Sequence, residues 1–453
     1  MLDLKDKKVL VVGLGKSGIA ACRLLVRHSA RVTATDSRSL DALSEEAKGL
    51  SSTGVNIEAG GHRPETFLSS DLIILSPGVP LVIPQLVRAK NKGIKIIGEI
   101  ELAYQFLNTP VIAVTGSNGK STTTTLIGEI IKKKGDSVFV GGNIGTPLTE
   151  YILSDSSSDC VVLELSSFQL ETIESFRPAI SILLNISPDH LDRYQSIKEY
   201  ADAKLRIFEN QTADDFAIIN GDEPWSSDIS KRIKGNVVVF SRKKKVQNGI
   251  YIEDGWMVSA IDNHRGKICE VSKIGIKGVH NLENSMAAAA AAMLWGCSHD
   301  AIAQTLREFP GLEHRLEFVR EIDGVRYIND SKGTNVGAVI KSIEGFNEPI
   351  LLIAGGRDKG GDFSSLRPLI KKKVKRLILI GEAKDKIAAA AGDMTTTGFA
   401  DSLEEAVHIA SNEALKGDVV LLSPACASFD MFKNFEERGK LFKEIVWKLP
   451  SSL

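Results

Sequence analysis

The sequence predicts an α/β protein of three domains, and three observations predict it. The chain has 453 residues, which at roughly 150 residues per domain suits about three. Short β-branched runs alternate along it with longer helical stretches, the rhythm of layered helices and sheet. Those runs, among them residues 9–12, 32–35, 72–75, 111–115, 161–165, 180–184, 350–354, 377–380 and 419–422, are apolar almost throughout. Such strands are buried on both faces, as in parallel sheets.

The first domain is expected over 1–98, ending before the helix-like stretch that begins Gly98-Glu99-Ile100-Glu101. Its opening strand runs into Gly13-Leu14-Gly15-Lys16-Ser17-Gly18, and a helical stretch follows. This is GxGxxG in a strand–turn–helix setting, so the domain reads as Rossmann-like. The glycines let backbone approach a diphosphate, and the helix N-terminus supplies oriented N–H donors. Asp36 ends the next strand, where a ribose hydroxyl is bound in such folds. A second turn, Ser76-Pro77-Gly78, follows another strand and is placed to close the same crevice. Taken alone, this loop suits a nicotinamide-dependent oxidoreductase as well as any other binder of a nucleotide diphosphate.

The second domain is expected over 99–311. The strand 111–115 leads into Thr115-Gly116-Ser117-Asn118-Gly119-Lys120-Ser121-Thr122. The ending matches the GK[ST] of a P-loop, although Val114 stands where the strict pattern has its leading glycine. Gly116 and Gly119 permit a nest of N–H groups around phosphate. Lys120 reaches the β- and γ-phosphates as a point charge, and Ser121 or Thr122 offers a hydroxyl toward Mg²⁺. A P-loop switch or transport ATPase would need only this loop, and a dehydrogenase only the first. An enzyme that spends ATP on a nucleotide-tagged substrate needs both. Further on, 243–276 lacks the α/β rhythm and reads as a strand-rich flap, while the apolar run 286–295 reads as a packed helix. That run is about half the length a membrane span needs.

The third domain is expected over 312–453, from the His314-Arg315 pair onward, with its own strand–helix alternation and a Rossmann-like layering. Hydrophobic residues make up 43% and charged residues 25% of the chain, the balance of an ordinary globular protein. The net charge of -1 predicts attraction to neither nucleic acid nor membranes. An anionic ligand must therefore be held by local features. The five cysteines, Cys22, Cys160, Cys269, Cys297 and Cys426, are scattered and odd in number, which fits buried thiols in a reducing cytoplasm. The charged start, 1–8, is unlike a signal peptide.

The phosphate loop Thr115–Thr122 resembles that of the Mur ligase family, and the resemblance extends over essentially the whole chain. It includes Gly141-Gly142-Asn143-Ile144-Gly145, Glu164-Leu165-Ser166-Ser167-Phe168-Gln169-Leu170, and Asn185-Ile186-Ser187-Pro188-Asp189-His190-Leu191-Asp192-Arg193. It continues through Ala203-Lys204-Leu205-Arg206-Ile207, His280-Asn281 with Asn284, and His314-Arg315. Asn329-Asp330-Ser331-Lys332-Gly333-Thr334-Asn335 and Ser423-Pro424-Ala425-Cys426-Ala427-Ser428 complete it. The runs 164–170 and 423–439 are most similar to the D-glutamate-adding branch, and the DNPR motif of a meso-diaminopimelate-adding relative is absent.

The resemblance implies an ATP-dependent amide ligase of the cytoplasm that acts on UDP-N-acetylmuramoyl-L-alanine and D-glutamate through an acyl phosphate, in peptidoglycan precursor synthesis. Another amino-acid specificity within the family stays open. It implies that Gly15, Lys16, Ser17, Asp36, Arg38, Ser76 and Gly78 hold the uridine diphosphate, with Asn143 and His190 on the sugar–peptide. It implies an ATP site of Gly116, Ser117, Asn118, Gly119, Lys120, Ser121, Thr122, Asn281, Asn284, Arg315, Asp330 and Lys332. Lys120, His190 and Lys204 are its expected catalytic residues. Ser121, Glu164 and His190 are expected Mg²⁺ ligands, together with Lys204 once CO₂ has converted it to a carbamate; without the resemblance, Lys204 reads as a surface helix lysine. Glu164 and His190 are expected to meet at adjacent strand ends. Thr334, Lys359, Ser428, Phe429 and Phe435 are implied for D-glutamate. The chain is expected to act as a monomer, with the third domain closing on its ligands.

Overall fold

The computed structural model describes residues 2–190 and 193–451; Leu191 and Asp192 of the expected 185–193 motif lie outside them. The first sheet has the order β3-β2-β1-β4-β5, from β1 (Lys8–Val12), β2 (Arg31–Asp36), β3 (Asn56–Ala59), β4 (Leu72–Leu75) and β5 (Lys95–Gly98). All its pairings are parallel. Val9 and Val11 face one apolar cluster while Leu10 and Val12 face another, so the strand is buried on both sides. Each such side chain contributes roughly 1.5–3 kcal/mol on burial, which is why the run has no polar alternation. The order reverses at β1 and β4, and ligands bind in the crevice outside such a switch point.

The second sheet has nine strands in the order β14-β13-β12-β11-β10-β9-β6-β8-β7. They are β6 (Val111–Thr115), β7 (Val138–Gly142), β8 (Cys160–Glu164), β9 (Ile180–Leu183), β10 (Phe216–Asn220), β11 (Asn236–Ser241), β12 (Gly249–Glu253), β13 (Trp256–Ser259) and β14 (Gly266–Glu270). The strands from β7 to β12 pair in parallel, and β12, β13 and β14 pair antiparallel. Two expectations are corrected here. The 243–276 segment is strand-rich but extends the main sheet and is not a flap, because β12 pairs in parallel with β11 and β13 and β14 follow antiparallel. The strand ends carrying Glu164 and leading toward His190 are not adjacent, because β6 lies between β8 and β9. The phosphate loop after β6 is therefore the central element of this edge.

The third sheet runs β15-β16-β20-β17-β18-β19, from β15 (Glu317–Ile322), β16 (Val325–Asn329), β17 (Ile350–Gly355), β18 (Val374–Ile380), β19 (Thr396–Phe399) and β20 (Val419–Leu422). Only β15 pairs antiparallel. Leu351 and Ile353 point into one core cluster, Ile350 and Leu352 into the other. The chain forms two compact units: Met1–Asn185, Tyr200–Val271 and Glu283–Thr305 carry the first two sheets, and Ile186–Glu199, Ser272–Leu282 and Leu306–Leu453 carry the third. The helix Val279–Leu294 takes up the 286–295 run, whose residues from Met286 to Met293 are fully buried. All five cysteines are free and buried.

Candidate functional site

In the first unit, Gly13 turns at a φ of 90°. Its N–H donates to Thr35 O at 2.8 Å, and its carbonyl accepts from Ser76 Oγ at 2.7 Å. That bond ties the two expected turns together. Leu14 N donates to Asp36 Oδ2 at 2.8 Å, and Arg38 straddles the same carboxylate through Nε (2.9 Å) and Nη2 (2.8 Å). Burial pushes the Asp36 carboxyl up, but hydrogen bonds from Arg38 and Leu14 outweigh it and hold it at about 2. Gly15, Lys16, Ser17, Asp36, Arg38, Ser76 and Gly78 all line one cleft of about 370 Å³. The cleft sits at the switch point of the sheet, where a nucleotide diphosphate is expected.

The second loop is shaped by two glycines in conformations that other residues rarely adopt, Gly116 at φ 152° and Gly119 at φ 87°. A Cβ on Gly119 would lie 2.1 Å from Asn284 Oδ1, so the expected ATP residue Asn284 packs on the loop itself. Asn185 clamps the loop: its carbonyl accepts from Ser117 N (3.0 Å), its Oδ1 accepts from Asn118 N (2.8 Å), and its Nδ2 donates to Asn118 O (3.0 Å). Thr115 Oγ1 donates to Leu165 O at 2.8 Å and fixes the exit of β6 against that of β8. The helix Lys120–Lys134 starts directly after Gly119. Ser121 and Thr122 in its first turn are buried.

Lys204 is not a surface residue. It is 1% exposed, its Nζ stands 4.5 Å from the centroid of the Tyr200 ring, and it donates to Gly116 O at 2.9 Å. Lys120 Nζ donates to the same carbonyl at 2.9 Å and to Ser117 O at 2.9 Å. The two ammonium groups thus stand within about 6 Å of each other, where like charges repel by roughly 3 kcal/mol at an effective dielectric of ~20. Such an arrangement favours an anion between them. Glu164, 2% exposed, accepts from Asn143 Nδ2 at 2.8 Å through Oε1. Its Oε2 is buried with no hydrogen-bond partner among the described residues. An orphaned carboxylate oxygen suits a hard cation such as Mg²⁺, which is held by one or two carboxylates, water and phosphate. No group of three or more His, Cys, Asp and Glu is gathered to hold a metal among the described residues.

The second unit carries His190, at a φ of 54°, with its N–H on Asp189 Oδ1 at 3.0 Å. Asp189 Oδ2 in turn accepts from Asn335 Nδ2 at 3.0 Å. Asn281 Nδ2 donates to Lys277 O at 2.8 Å. Asp330 is buried and accepts from Ser342 and Ser423 hydroxyls, each at 2.7 Å. Burial pushes its carboxyl up, against those hydrogen bonds and the Arg315 charge. Arg315 Nε is itself buried with no hydrogen-bond partner among the described residues. Lys332 Nζ lies 5.4 Å from the centroid of the Phe435 ring, and Thr334 N donates to Lys332 O at 2.8 Å. Ser428 is buried while Phe429 is exposed. Lys359, half-buried, follows β17, whose loop is bridged to that of β20 by Arg357 and Ala427.

Sequence reasoning missed Asn185 as a loop clamp, although it opens a quoted motif. It also missed Arg438, fully buried and donating to Ser331 O (2.8 Å) and Ser331 Oγ (3.0 Å). Its partner lies 107 positions away in the chain, and no local signal marks it.

Comparison with known proteins fits this geometry. Residues 7–98 match the family model for the Mur ligase MurD-like N-terminal domain, 114–292 the Mur ligase middle domain, and 314–426 the Mur ligase glutamate ligase domain. The UDP-N-acetylmuramoylalanine--D-glutamate ligase of Citrifermentans bemidjiense is 51% identical over 447 residues, covering 98% of each chain. That of Pelotomaculum thermopropionicum is 48% identical over 449 residues, covering 99% of each. Among solved structures, a pseudomurein peptide ligase type C from Methanothermus fervidus aligns with a TM-score of 0.63 at 20% identity, covering 98% of this chain and 100% of that one. The MurF ligase of Thermotoga maritima in complex with ADP aligns with a TM-score of 0.62 at 17% identity, covering 98% and 96%. With near-complete coverage at such identity, and with domain models matching in order along its length, this three-domain α/β chain belongs to the Mur ligase family.

Proposed function

We propose that the chain is an ATP-dependent ligase that joins D-glutamate to UDP-N-acetylmuramoyl-L-alanine, as a monomer in the cytoplasm, in peptidoglycan precursor synthesis. The observation that carries this reading is the presence of two separate glycine-shaped loops suited to phosphate, Gly13–Gly18 after β1 of the first sheet and Thr115–Thr122 after β6 in the parallel part of the second. The names of the relatives supply the substrates. No helix of the described residues is long and apolar enough to cross a membrane.

A carboxylate is inert toward amines at neutral pH. In the proposed reaction its oxygen attacks the γ-phosphorus of ATP and ADP leaves. The amine of D-glutamate then attacks the carbonyl carbon and phosphate departs with the carboxylate oxygen, while the amine proton passes to solvent. The residues position and neutralise charge rather than form bonds. Lys120 turns from the Gly116 and Ser117 carbonyls to the transferred phosphate. Asn281, Asn284, Arg315, Asp330 and Lys332 serve the rest of ATP. Gly15, Lys16, Ser17, Asp36, Arg38, Ser76 and Gly78 hold the uridine diphosphate, and Asn143 and His190 the sugar–peptide. Thr334, Lys359, Ser428, Phe429 and Phe435 take D-glutamate, with Lys359 on its carboxylate. Mg²⁺, held by Ser121, Glu164, His190 and carbamylated Lys204, would neutralise the phosphate charge. The carbamate reading rests on the crowding of Lys204 against Lys120. Carbamylation turns one of two like charges into an anion.

The reading is tested by phosphate release from ATP with Mg²⁺ and UDP-N-acetylmuramoyl-L-alanine. Release that requires D-glutamate, and not L-glutamate, L-lysine or meso-diaminopimelate, is expected. Release with another amino acid alone would overturn the specificity, and release with none would favour a switch ATPase. For the carbamate, protein incubated with ¹³C-bicarbonate is expected to show a lysine carbamate resonance that Lys204→Ala lacks; an identical spectrum from both proteins would remove it.

A further inference from the structure

Three loops leave the same edge of the third sheet, after the neighbouring strands β20, β17 and β18. The loop after β17 carries Lys359, and the loop after β20 carries Ser428 and Phe429. Asp430 belongs to the β20 loop, yet its Oδ2 accepts from Glu382 N, after β18, at 2.9 Å. It therefore crosses the β17 loop that lies between them. The crossing is close-fitting: a Cβ on Gly381 would stand 2.3 Å from Asp430 Oδ2 and 2.9 Å from Gly356 Cα.

The contacts form a closed circuit. The Glu382 carboxylate takes Arg357 through Nε at 3.1 Å and Nη2 at 2.9 Å. Arg357 and Ala427 exchange backbone hydrogen bonds, each 2.9 Å. Ala427 is followed by Ser428, Phe429 and then Asp430, where the circuit returns. Inside the β20 loop, Ser428 O accepts from Met431 N (3.1 Å) and Phe432 N (2.8 Å), so the turn moves as one piece. Lys359 lies two positions beyond Arg357. The second oxygen of Asp430, Oδ1, is buried with no hydrogen-bond partner among the described residues. A carboxylate held this way costs stability, and a group optimised for stability alone would not be left so.

We propose that Asp430 is a positioning residue for the amino-acid site, setting Ser428 and Phe429 against Lys359 and thereby the acceptance of D-glutamate. This rests on the reading that those residues bind D-glutamate. The Glu382 N–H needs an acceptor oxygen and no charge, so Asp430→Asn keeps the tie and Asp430→Ala removes it.

The experiment measures KM for each of the three substrates, kcat and thermal stability in the parent, Asp430→Asn and Asp430→Ala. Asp430→Ala is expected to raise KM for D-glutamate about five- to tenfold, the size of one lost hydrogen bond. Its KM for ATP and for the uridine substrate should stay within about twofold, and Asp430→Asn should match the parent. Parallel losses in all three KM values together with stability would make Asp430 merely structural and overturn the proposal. An unchanged KM for D-glutamate in Asp430→Ala would also overturn it. Should Asp430→Ala fail to fold, Asp430→Asn decides: a KM for D-glutamate raised about tenfold would mean the acceptor is not what matters. A parent with no D-glutamate-dependent turnover would instead fail the underlying functional reading, and is seen before any variant is made.

Discussion

Gly18→Ala is the substitution whose effect follows most directly from the structure. A Cβ at this position would lie 1.9 Å from Gly13 O, 3.0 Å from Gly13 C and 2.7 Å from Ser76 Oγ. The first of these is backbone and cannot swing aside. Relief requires the helix Lys16–Arg27 and the Gly13 turn to separate by about 1 Å, a displacement of the size that costs up to ~10²-fold when it falls at a binding or reacting group. It also breaks the Ser76–Gly13 bond of 2.7 Å that joins the two sides of the cleft. Overpacking of this kind costs roughly 1–3 kcal/mol of stability, and a comparable loss in binding is roughly 10- to 100-fold in affinity. Gly15→Ala is the control. Gly15 has a φ of -80° and no atom within 4 Å of its added Cβ, so its stability should match the parent. The assay is calorimetric titration with UDP, beside a thermal melt. Gly18→Ala should bind UDP at least tenfold more weakly and melt lower, while ATP binding at the other sheet is unchanged. A Gly18→Ala protein that binds UDP within about twofold of the parent would refute the assignment of this cleft.

Lys204→Arg keeps a cation but cannot form the carbamate; kcat should fall roughly 10²–10³-fold, and a parent-like kcat would exclude the modification from turnover. Glu101 is 1% exposed and accepts from Glu174 N (2.9 Å), Ser175 N (3.0 Å) and Phe176 N (3.0 Å). Burial raises its carboxyl, but the donors from Glu174 and Ser175 outweigh it and hold it below the ordinary value. Its contribution to stability is thus present above the ordinary glutamate pKa of about 4.3 and lost as pH falls through the depressed folded value. Glu101→Gln should cost roughly 2 kcal/mol at neutral pH and less in acid, as read by denaturant titration at several pH values. Glu99, two residues earlier, has the opposite sign: burial dominates over the bonds from Thr149 and raises it. The folded state then holds a proton the unfolded chain has released, so stability falls as pH rises above the ordinary glutamate value. Glu99→Gln should flatten that slope, and an unchanged slope would mean Glu99 folds ionised.

Much of the fold is legible in the sequence because parallel strands buried on both faces are apolar at nearly every position. The runs 72–75, 111–115 and 419–422 match observed strands residue for residue. The two phosphate loops are legible because glycines at fixed spacing have few other uses. What is hidden depends on partners far along the chain. Lys204 looks like any helix lysine until Gly116, 88 positions away, supplies its acceptor. Glu99 and Glu101 open a helix-like stretch that carries no local sign of their burial, yet each is buried against N–H groups at least 50 positions distant. Strand adjacency is hidden too: the run order places 161–165 next to 180–184, whereas β6 inserts between them through its hydrogen bonds to both.

The central claim is that ATP activates a carboxylate which then accepts D-glutamate. UDP-N-acetylmuramoyl-L-alanine labelled with ¹⁸O in its carboxylate tests it most directly, by mass spectrometry of the products after turnover with ATP and D-glutamate. The account predicts one ¹⁸O in the released phosphate and a uridine product heavier by one glutamyl residue. Unlabelled phosphate alongside an unchanged uridine substrate would contradict it, since ATP would then be hydrolysed by water at the second loop without forming a bond.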